Sequence, residues 1–145
     1  MIKILCLGKI KEPYLNALIA DYQKRISKYH PLEIIELKDT GNIEEEKRSL
    51  LKHISSKDYI ITLEIEGEKL TSEAFASKIE KTFIYYPNIT FVIGGSLGLH
   101  PDIKKISNFA LSFSSLTFPH GLFRGILLEQ IYRAFKIINH ETYHK

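Results

Sequence analysis

Alternation of apolar, strand-like runs with helical segments most constrains the fold of this 145-residue chain. The segments between the runs carry apolar residues at three- and four-residue spacing, which is typical of amphipathic helices. Strands joined by helices form right-handed βαβ crossovers and a parallel sheet that is covered on both faces. We therefore expect a single α/β domain over residues 1–145, with a mostly parallel sheet flanked by helices. The predicted strands are residues 2–7, 32–37, 59–63, 89–93 and 109–113.

Capping and breaking residues mark the helix boundaries. Pro13 fits the first turn of a helix, and Pro31 ends the apolar stripe that follows it. Asn42 followed by Glu45 indicates another helix start. Gly67 is expected to close the turn after the third strand. The predicted helices are residues 13–29, 44–54, about 72–86 with Thr71 or Ser72 as cap, a short helix from Pro101, and 121–138.

Composition excludes several classes of protein. Hydrophobic residues make up 44 % of the chain and charged residues 26 %, which is ordinary globular usage. No apolar run approaches the roughly 20 residues of a membrane-spanning helix. The single cysteine, Cys6, lies in the first predicted strand and is expected to be a small buried residue. No Cys/His spacing suits zinc, so the sequence predicts no metal site. Without a membrane-spanning run or a pair of cysteines, we expect a soluble, cytoplasmic protein.

Positive charge is concentrated at the two ends of the chain. The net charge is +3 overall, with +3 in residues 1–38, −2 in residues 39–118 and +2 in residues 119–145. This distribution weakly favours a polyanionic partner.

Three predicted strand ends are unlike plain connectors. In an open α/β sheet, ligands bind beyond the carboxyl ends of the strands, where the strand order switches. Leu63 onward, the glycine loop 94–98 and the segment 114–119 lie at such ends. The glycines allow the backbone to approach a ligand closely, or they form only a tight turn. Neither the dinucleotide-binding fingerprint, the P-loop nor the hydrolase elbow is present.

The last third of the chain is the densest in potential chemistry. Glu129 and Arg133 are four residues apart on the long helix, as an exposed ion pair would be. Aromatic residues interleaved with Arg133 and Lys136 could stack bases and hold phosphates, or could be core or dimer contacts. His100 and His120 lie in loops beside candidate ligand sites, where a histidine is usually structural or solvated.

Four segments together carry a resemblance to a known family. They are residues 91–100 (FVIGGSLGLH), 111–120 (LSFSSLTFPH), 128–137 (LEQIYRAFKI) and 143–145 (YHK). In this order and spacing they resemble the RlmH family, the ribosomal large-subunit pseudouridine N3-methyltransferases of the SPOUT class. The resemblance covers the whole chain, including residues 8–11 and 59–64.

The resemblance implies a homodimer, a deep C-terminal trefoil knot and S-adenosylmethionine bound at that knot. It implies methylation of N3 of a pseudouridine in 23S rRNA. The small net charge favours an assembled ribosome recognised by shape, with the dimer doubling the basic surface. Carried over residue by residue, the implied cofactor contacts are Leu63, Gly94, Phe113, Ser114, Ser115, Leu116, Thr117 and Phe118.

Catalysis at N3 requires a uracil-type imide to lose its proton, which calls for a base or for support of the ring anion. His144 and Glu129 are candidate bases, Arg133 could stabilise the anion or hold a phosphate, and Tyr143 could stack on the base. We expect Arg133, Tyr143 and His144 to act as one catalytic group. The alternatives are a methyltransferase acting on another RNA, such as tRNA, and a nucleotide- or RNA-binding module without catalysis.

Two departures from the family pattern stand out. The connector 39–43 is shorter than expected and, lying away from the motifs, is expected to have little effect. Gly121 and Gly125 flank Arg124 where bulkier residues are more usual, which leaves the start of the last helix open.

Overall fold

Five strands alternate with five helices along the chain, as a computed structural model of residues 1–145 describes it. Each predicted strand and helix is present, and most bounds differ from the prediction by only a few residues. The elements are β1 Ile2–Leu7, α1 Pro13–Ser27, β2 Leu32–Leu37, α2 Ile43–Leu51, β3 Asp58–Lys69, α3 Ser72–Tyr85, β4 Asn88–Ile93, α4 Pro101–Ile106, β5 Phe109–Ser112 and α5 His120–Ile138.

The strands form one parallel sheet in the order β2-β1-β4-β3-β5. The connection after β1 leads to β2 on one side, whereas the connection after β4 leads toward β5 on the other. The strand order therefore switches between β1 and β4, which is where open α/β sheets bind ligands. The predicted α/β class with a parallel sheet is confirmed.

Helices cover both faces of the sheet and enclose two hydrophobic clusters. Alternate residues of β1 point to opposite faces, so Ile4 packs in the larger cluster and Leu5 in the smaller one. Helices α1, α3 and α5 supply the larger cluster, and α2 and α4 cover the other face. Cys6 is fully buried in β1, as predicted. None of the five helices has the length and apolarity needed to span a membrane.

Strand β3 is longer than predicted, and Gly67 lies within it. A Cβ on Gly67 would sit 2.7 Å from the backbone carbonyl carbon of Ala110 in β5, closer than real contacts allow. Glycine therefore permits β3 and β5 to pair beyond the irregularity between Leu63 and Glu68. The prediction that Gly67 closes a turn was wrong. A glycine after an apolar run indicates a turn, but a glycine inside a strand that lets a second backbone come close looks the same in the sequence.

The two unusual glycines of α5 bring this helix close to α1. Helix α5 begins at His120, so both glycines lie inside it. A Cβ on Gly121 would lie 2.8 Å from Leu15 Cδ1, and a Cβ on Gly125 would lie 2.7 Å from Leu18 Cδ2. The glycines thus lower helix propensity but allow tight packing of α1 against α5.

The segment between β5 and α5 crosses the sheet. Strand β5 is at one edge, yet α5 begins against Gly8 at the end of β1. This crossing covers three strand spacings of about 4.8 Å, roughly 14 Å in all. It passes the carboxyl ends of β3 and β4 and is compatible with the knot. The knot itself stays a prediction.

Candidate functional site

A cleft of about 1360 Å³ opens at the carboxyl ends of the strands. It spans the switch point, with Gly8 after β1 on one side and Gly94 after β4 on the other. The remaining walls come from the end of β2, the extension of β3, and the segment 113–118. The strand ends that the sequence indicated as ligand-binding therefore meet in one cavity.

The glycine loop 94–98 forms the floor of the cleft, and Gly94 and Gly95 leave no room there for a Cβ atom. A Cβ on Gly94 would lie 2.8 Å from the carbonyl carbon of Gly98. Gly98 has a φ of 72°, which favours glycine, and its N–H donates to the Gly95 carbonyl at 3.0 Å. Ser96 is held by Asp39, whose Oδ2 accepts the Ser96 N–H at 3.3 Å. Of the loop residues that line the cleft, three are glycines and Ser96 is the one with a side chain, so the loop presents mostly backbone there.

The segment 113–118 forms the wall opposite β1 and is shaped by local hydrogen bonds and aromatic packing. Ser114 Oγ accepts the N–H of Leu116 at 3.0 Å, and the Phe113 and Phe123 rings meet edge-to-face at 5.2 Å. Ser115 is engaged elsewhere, since its Oγ accepts from Lys69 Nζ at 2.6 Å. Of the eight predicted cofactor contacts, seven line the cleft and Ser115 does not.

A buried arginine fixes the start of α5 to the ends of β1 and β2. Arg124 is 1 % exposed and donates to the Glu36 carboxylate, to the Gly8 carbonyl at 3.1 Å and to His120 Nε2 at 2.9 Å. A guanidinium only donates, so Nε2 of His120 accepts and the neutral ring carries its proton on Nδ1. Burial and the neighbouring Arg124 charge lower the pKa of His120. His120 thus lines the cleft as a neutral imidazole.

The connector 39–43 lies beside the glycine loop, so the expectation that it lies away from the motifs was wrong, whereas its small effect on activity stays a prediction. Asp39 lines the cleft and binds Ser96. Buried Glu46 holds the connector from below, because its Oε2 accepts the N–H groups of Thr40 at 2.9 Å and Gly41 at 3.2 Å. Burial and the nearby Asp39 carboxylate raise the pKa of Glu46.

The residues predicted to act in catalysis cluster elsewhere, on the outer side of α5. Arg133 donates to Glu129 Oε1 from Nε at 3.0 Å and from Nη2 at 2.5 Å. Tyr143 donates to the same oxygen at 3.1 Å, and the Arg133 guanidinium lies over the Tyr143 ring at 4.8 Å. His144 Nδ1 accepts from Arg133 Nη1 at 3.1 Å, which leaves a proton on Nε2 facing Glu73 Oε1 at 2.6 Å.

This geometry bears on Glu129, one of the two candidate bases that the sequence offered. Glu129 also accepts from Gln130 at 2.9 Å, so all its contacts suit an ionised acceptor rather than a proton-abstracting base. The Glu129 carboxylate raises the pKa of Arg133. Burial, followed by the Tyr22 hydroxyl and the Glu129 charge, raises the pKa of Tyr143. The cluster therefore presents a fixed cation beside a neutral phenol.

The C-terminal cluster and the cleft are separated along α5. His120 lines the cleft at the start of this helix, and Arg133 lies 13 residues later. At 1.5 Å per residue, this corresponds to about 20 Å. None of Arg133, Tyr143 and His144 lines the cleft. The structure brings these three residues together but not to the cofactor contacts of the same chain.

Sequence reasoning missed the wall formed by the ends of β1 and β2. This wall includes Gly8, Lys9, Lys11 and Lys38, and it adjoins His120, which the sequence had placed beside a candidate ligand site. The strand-end rule applied there too, because Gly8 follows the first apolar run directly. His100, in contrast, is structural: it caps α4 by accepting the Asp102 N–H at 2.9 Å. No group of three or more His, Cys, Asp or Glu side chains is placed to hold a metal ion.

A parallel α/β sheet with a cleft at its switch point is the architecture in which open α/β domains bind ligands. Residues 1–144 match the family described as Predicted SPOUT methyltransferase. The ribosomal RNA large subunit methyltransferases H of Bifidobacterium animalis and Clostridium botulinum are each 46 % identical to the chain over 157 aligned positions, covering 99 % of both sequences.

The solved structure of a probable methylase family protein from Haemophilus influenzae shares the fold. Its TM-score is 0.58, and its sequence is 13 % identical over 99 % of this chain and 70 % of that one. The chain belongs to the SPOUT methyltransferases and, within them, to the family of ribosomal RNA large subunit methyltransferase H.

Proposed function

We propose that this protein transfers the methyl group of S-adenosylmethionine to N3 of a pseudouridine in large-subunit rRNA. The observation that carries the proposal is the glycine-floored cleft at the switch point, in a chain of methyltransferase family. The relatives' names supply the substrate, since they are large-subunit rRNA methyltransferases. The specificity for pseudouridine N3 rests on the resemblance of the four sequence segments.

The residues of the cleft suit this cofactor. Leu63 and Phe113 offer apolar surface for an adenine ring, and Gly94 leaves room for close approach of the backbone. When bound, S-adenosylmethionine supplies an activated methyl group on a sulfonium. The segment 113–118 covers that position and excludes water, and the pinned start of α5 holds the segment in place.

We propose that two copies form each complete site. Arg133 lies about 20 Å along α5 from the cleft of its own chain, which supports an arrangement in which a second copy brings its C-terminal cluster to that cleft. Exposed apolar side chains near the start of α5 support such an interface. They are Tyr14, Leu116 and Leu122. The proposed assembly is a homodimer with two equivalent shared sites.

In this arrangement the C-terminal cluster acts on the target base. Arg133 is a permanent cation held by Glu129, so it can stabilise the ring anion that forms when N3 loses its proton. Tyr143, lying against Arg133, can stack on the base. The N3 proton passes to water, or to His144 once Nδ1 of that ring is released from Arg133, and the methyl group then bonds to N3 as its bond to the sulfonium sulfur breaks. The stabilisation of the ring anion by Arg133 is therefore the primary role.

The partner in this proposal is the assembled ribosome, which in bacteria is cytoplasmic. The chain carries a net charge of only +3, which is small for gripping free rRNA. Recognition of an assembled particle adds shape to charge. The proposed location of the protein is therefore the cytoplasm.

The test is methyl transfer from labelled S-adenosylmethionine to ribosomes from cells that lack the modification. We expect label in large-subunit rRNA of assembled particles, weaker transfer to naked rRNA, and N3-methylpseudouridine in the digested nucleosides. Label in tRNA alone would move the substrate to the alternative RNA. Binding of S-adenosylmethionine without transfer to any RNA would leave the non-catalytic module as the function.

A further inference from the structure

We propose that Lys9, Lys11 and Lys38 form the surface that binds the phosphate backbone of the substrate RNA. We call these three residues the lysine wall. The inference rests on the proposed function, because it assigns the RNA of that same reaction to one side of the cleft. It concerns how the substrate is held, whereas the reacting groups lie elsewhere.

The lysine wall is built by two paired strands. Leu7 at the end of β1 pairs with Leu37 at the end of β2. Lys9 follows Leu7 by two residues and Lys38 follows Leu37 directly, so both lie near adjacent strand ends about 4.8 Å apart. Lys11 continues the same rim, and all three side chains line the cleft. The topology therefore brings Lys38 beside Lys9 and Lys11, which lie at least 27 positions earlier in the sequence.

These lysines are free to bind an anion. Each is exposed, and none makes an ion pair or a side-chain hydrogen bond within the chain. Of the carboxylates on the same side, Glu36 is paired with the buried Arg124, whereas Asp39 accepts only from Ser96 and keeps its charge. Three lysines thus face one unpaired carboxylate, and this side of the cleft keeps a net positive charge.

Charge is segregated across the cleft. The far wall, formed by the extension of β3, carries Glu64 and Glu66, and Lys104 approaches Glu64 at 3.8 Å. Lys104 offsets the charge of Glu64, whereas Glu66 has no cation partner, so a polyanion entering the cleft is attracted to the β1–β2 side in preference to the β3 side. This asymmetry gives the RNA one orientation.

The cleft is too large for the cofactor alone. Its volume of about 1360 Å³ exceeds the roughly 300–1,000 Å³ that sites for single small molecules occupy. Three free cations also exceed what one cofactor carboxylate requires. Room and charge both remain for a nucleotide and its flanking phosphates beside the cofactor.

The test compares two triple variants of the full-length protein. The first is Lys9→Ala/Lys11→Ala/Lys38→Ala. The matched control is Lys28→Ala/Lys52→Ala/Lys57→Ala, three exposed lysines without ion pairs near the opposite, amino-terminal ends of the strands. Binding to large ribosomal subunits is measured by co-sedimentation over a series of salt concentrations, and binding of S-adenosylmethionine by calorimetry.

We expect the lysine-wall variant to bind subunits at least about tenfold more weakly near physiological salt, and the slope of log K against log salt to shrink by about two to three. The control keeps the wild-type slope, and both variants keep wild-type affinity for S-adenosylmethionine. An unchanged slope in the lysine-wall variant, or an equal reduction in the control, would overturn the proposal. Weakened cofactor binding would assign the lysines to the cofactor carboxylate instead.

Failure of the lysine wall and failure of the proposed function give different results. If wild-type protein binds subunits but transfers no methyl group, the methyltransferase proposal fails whatever the slope of the variant. If wild-type protein methylates rRNA and the lysine-wall variant binds and methylates equally well at every salt concentration, only the lysine wall is refuted.

Discussion

Arg124 and Glu36 lie 88 positions apart in the sequence, yet the guanidinium of one donates directly to the carboxylate of the other. The arginine side chain is 1 % exposed, whereas that of Glu36 is 38 % exposed at the cleft. The same guanidinium also binds the Gly8 carbonyl. This one side chain thereby joins α5 to β2 and to the end of β1. It fixes the position at which the segment between β5 and α5 ends after crossing the sheet.

Replacing Arg124 by alanine should destabilise the fold. Removing one partner of a buried ion pair costs about 3–5 kcal/mol, and we expect about 3 kcal/mol here because Glu36 regains contact with water. Chemical denaturation monitored by circular dichroism measures this loss. Arg48→Ala, on the exposed side of α2, is the control and should change little. An Arg124→Ala variant as stable as wild type would show that the pair does not anchor α5.

Replacing Gly94 by alanine should weaken S-adenosylmethionine binding at least about tenfold, because the added Cβ meets the backbone of Gly98 and must distort the loop. Gly125→Ala is the matched control. There the added Cβ meets only side-chain atoms of Leu18, Cδ2 at 2.7 Å and Cγ at 3.4 Å, and a side chain can move where backbone cannot. Calorimetric titration should separate the two variants, and equal affinities would refute the role of the glycine floor.

Glu46→Gln should stabilise the protein more at high pH than at low pH. The raised pKa of Glu46 means that the fold favours its protonated form. Wild-type protein holds that contribution at low pH and loses it as the pH rises through the raised pKa, whereas glutamine stays neutral. Urea midpoints of both proteins at about pH 8 and about pH 5 test this. The lower pH lies close to the ordinary glutamate pKa of about 4.3, where the wild-type protein still holds part of the contribution. A larger advantage at the lower pH would contradict the assignment.

Cys6 should resist alkylation in the native protein. It is fully buried, and burial raises its pKa to about 12, so almost no thiolate forms near neutral pH. Iodoacetamide labelling followed by mass spectrometry should proceed only as fast as the protein opens, and labelling in denaturant should be complete. Rapid labelling without denaturant would indicate that β1 is exposed.

The sequence predicted the fold where local signals were unambiguous. The apolar runs of β1 and β4 are buried on both faces and are bounded by glycine or polar residues, so their limits were clear. The predicted third strand ended too early, at residue 63. The residues around Glu64 and Glu66 lie at the open end of the sheet and are mostly polar, so they carry little of the apolar pattern that indicates a strand. Its pairing depends on β5, about 45 residues later, which no local pattern encodes.

The candidate site was predicted in part. The rule that ligands bind beyond strand ends identified Leu63, Gly94 and most of the segment 113–118. The lysine wall was missed because a lysine after a strand is common. Only the pairing of β1 with β2, which the sequence does not show, places the three lysines together and indicates an anion-binding surface. The contact between His144 and Glu73 spans 71 positions and depends on how α3 packs against α5.

The separation of the cleft from the C-terminal cluster leads to the central claim, that each active site is shared by two copies. The direct test mixes two variants, Gly94→Ala with a defective cleft and Arg133→Ala with a defective cluster, under conditions that exchange subunits and at S-adenosylmethionine concentrations well below the wild-type Kd. Each variant alone should be nearly inactive in methyl transfer to large subunits. Random exchange makes half of the dimers mixed with one intact site each, so the mixture should recover about a quarter of wild-type activity. A mixture no more active than either variant alone would contradict the shared site.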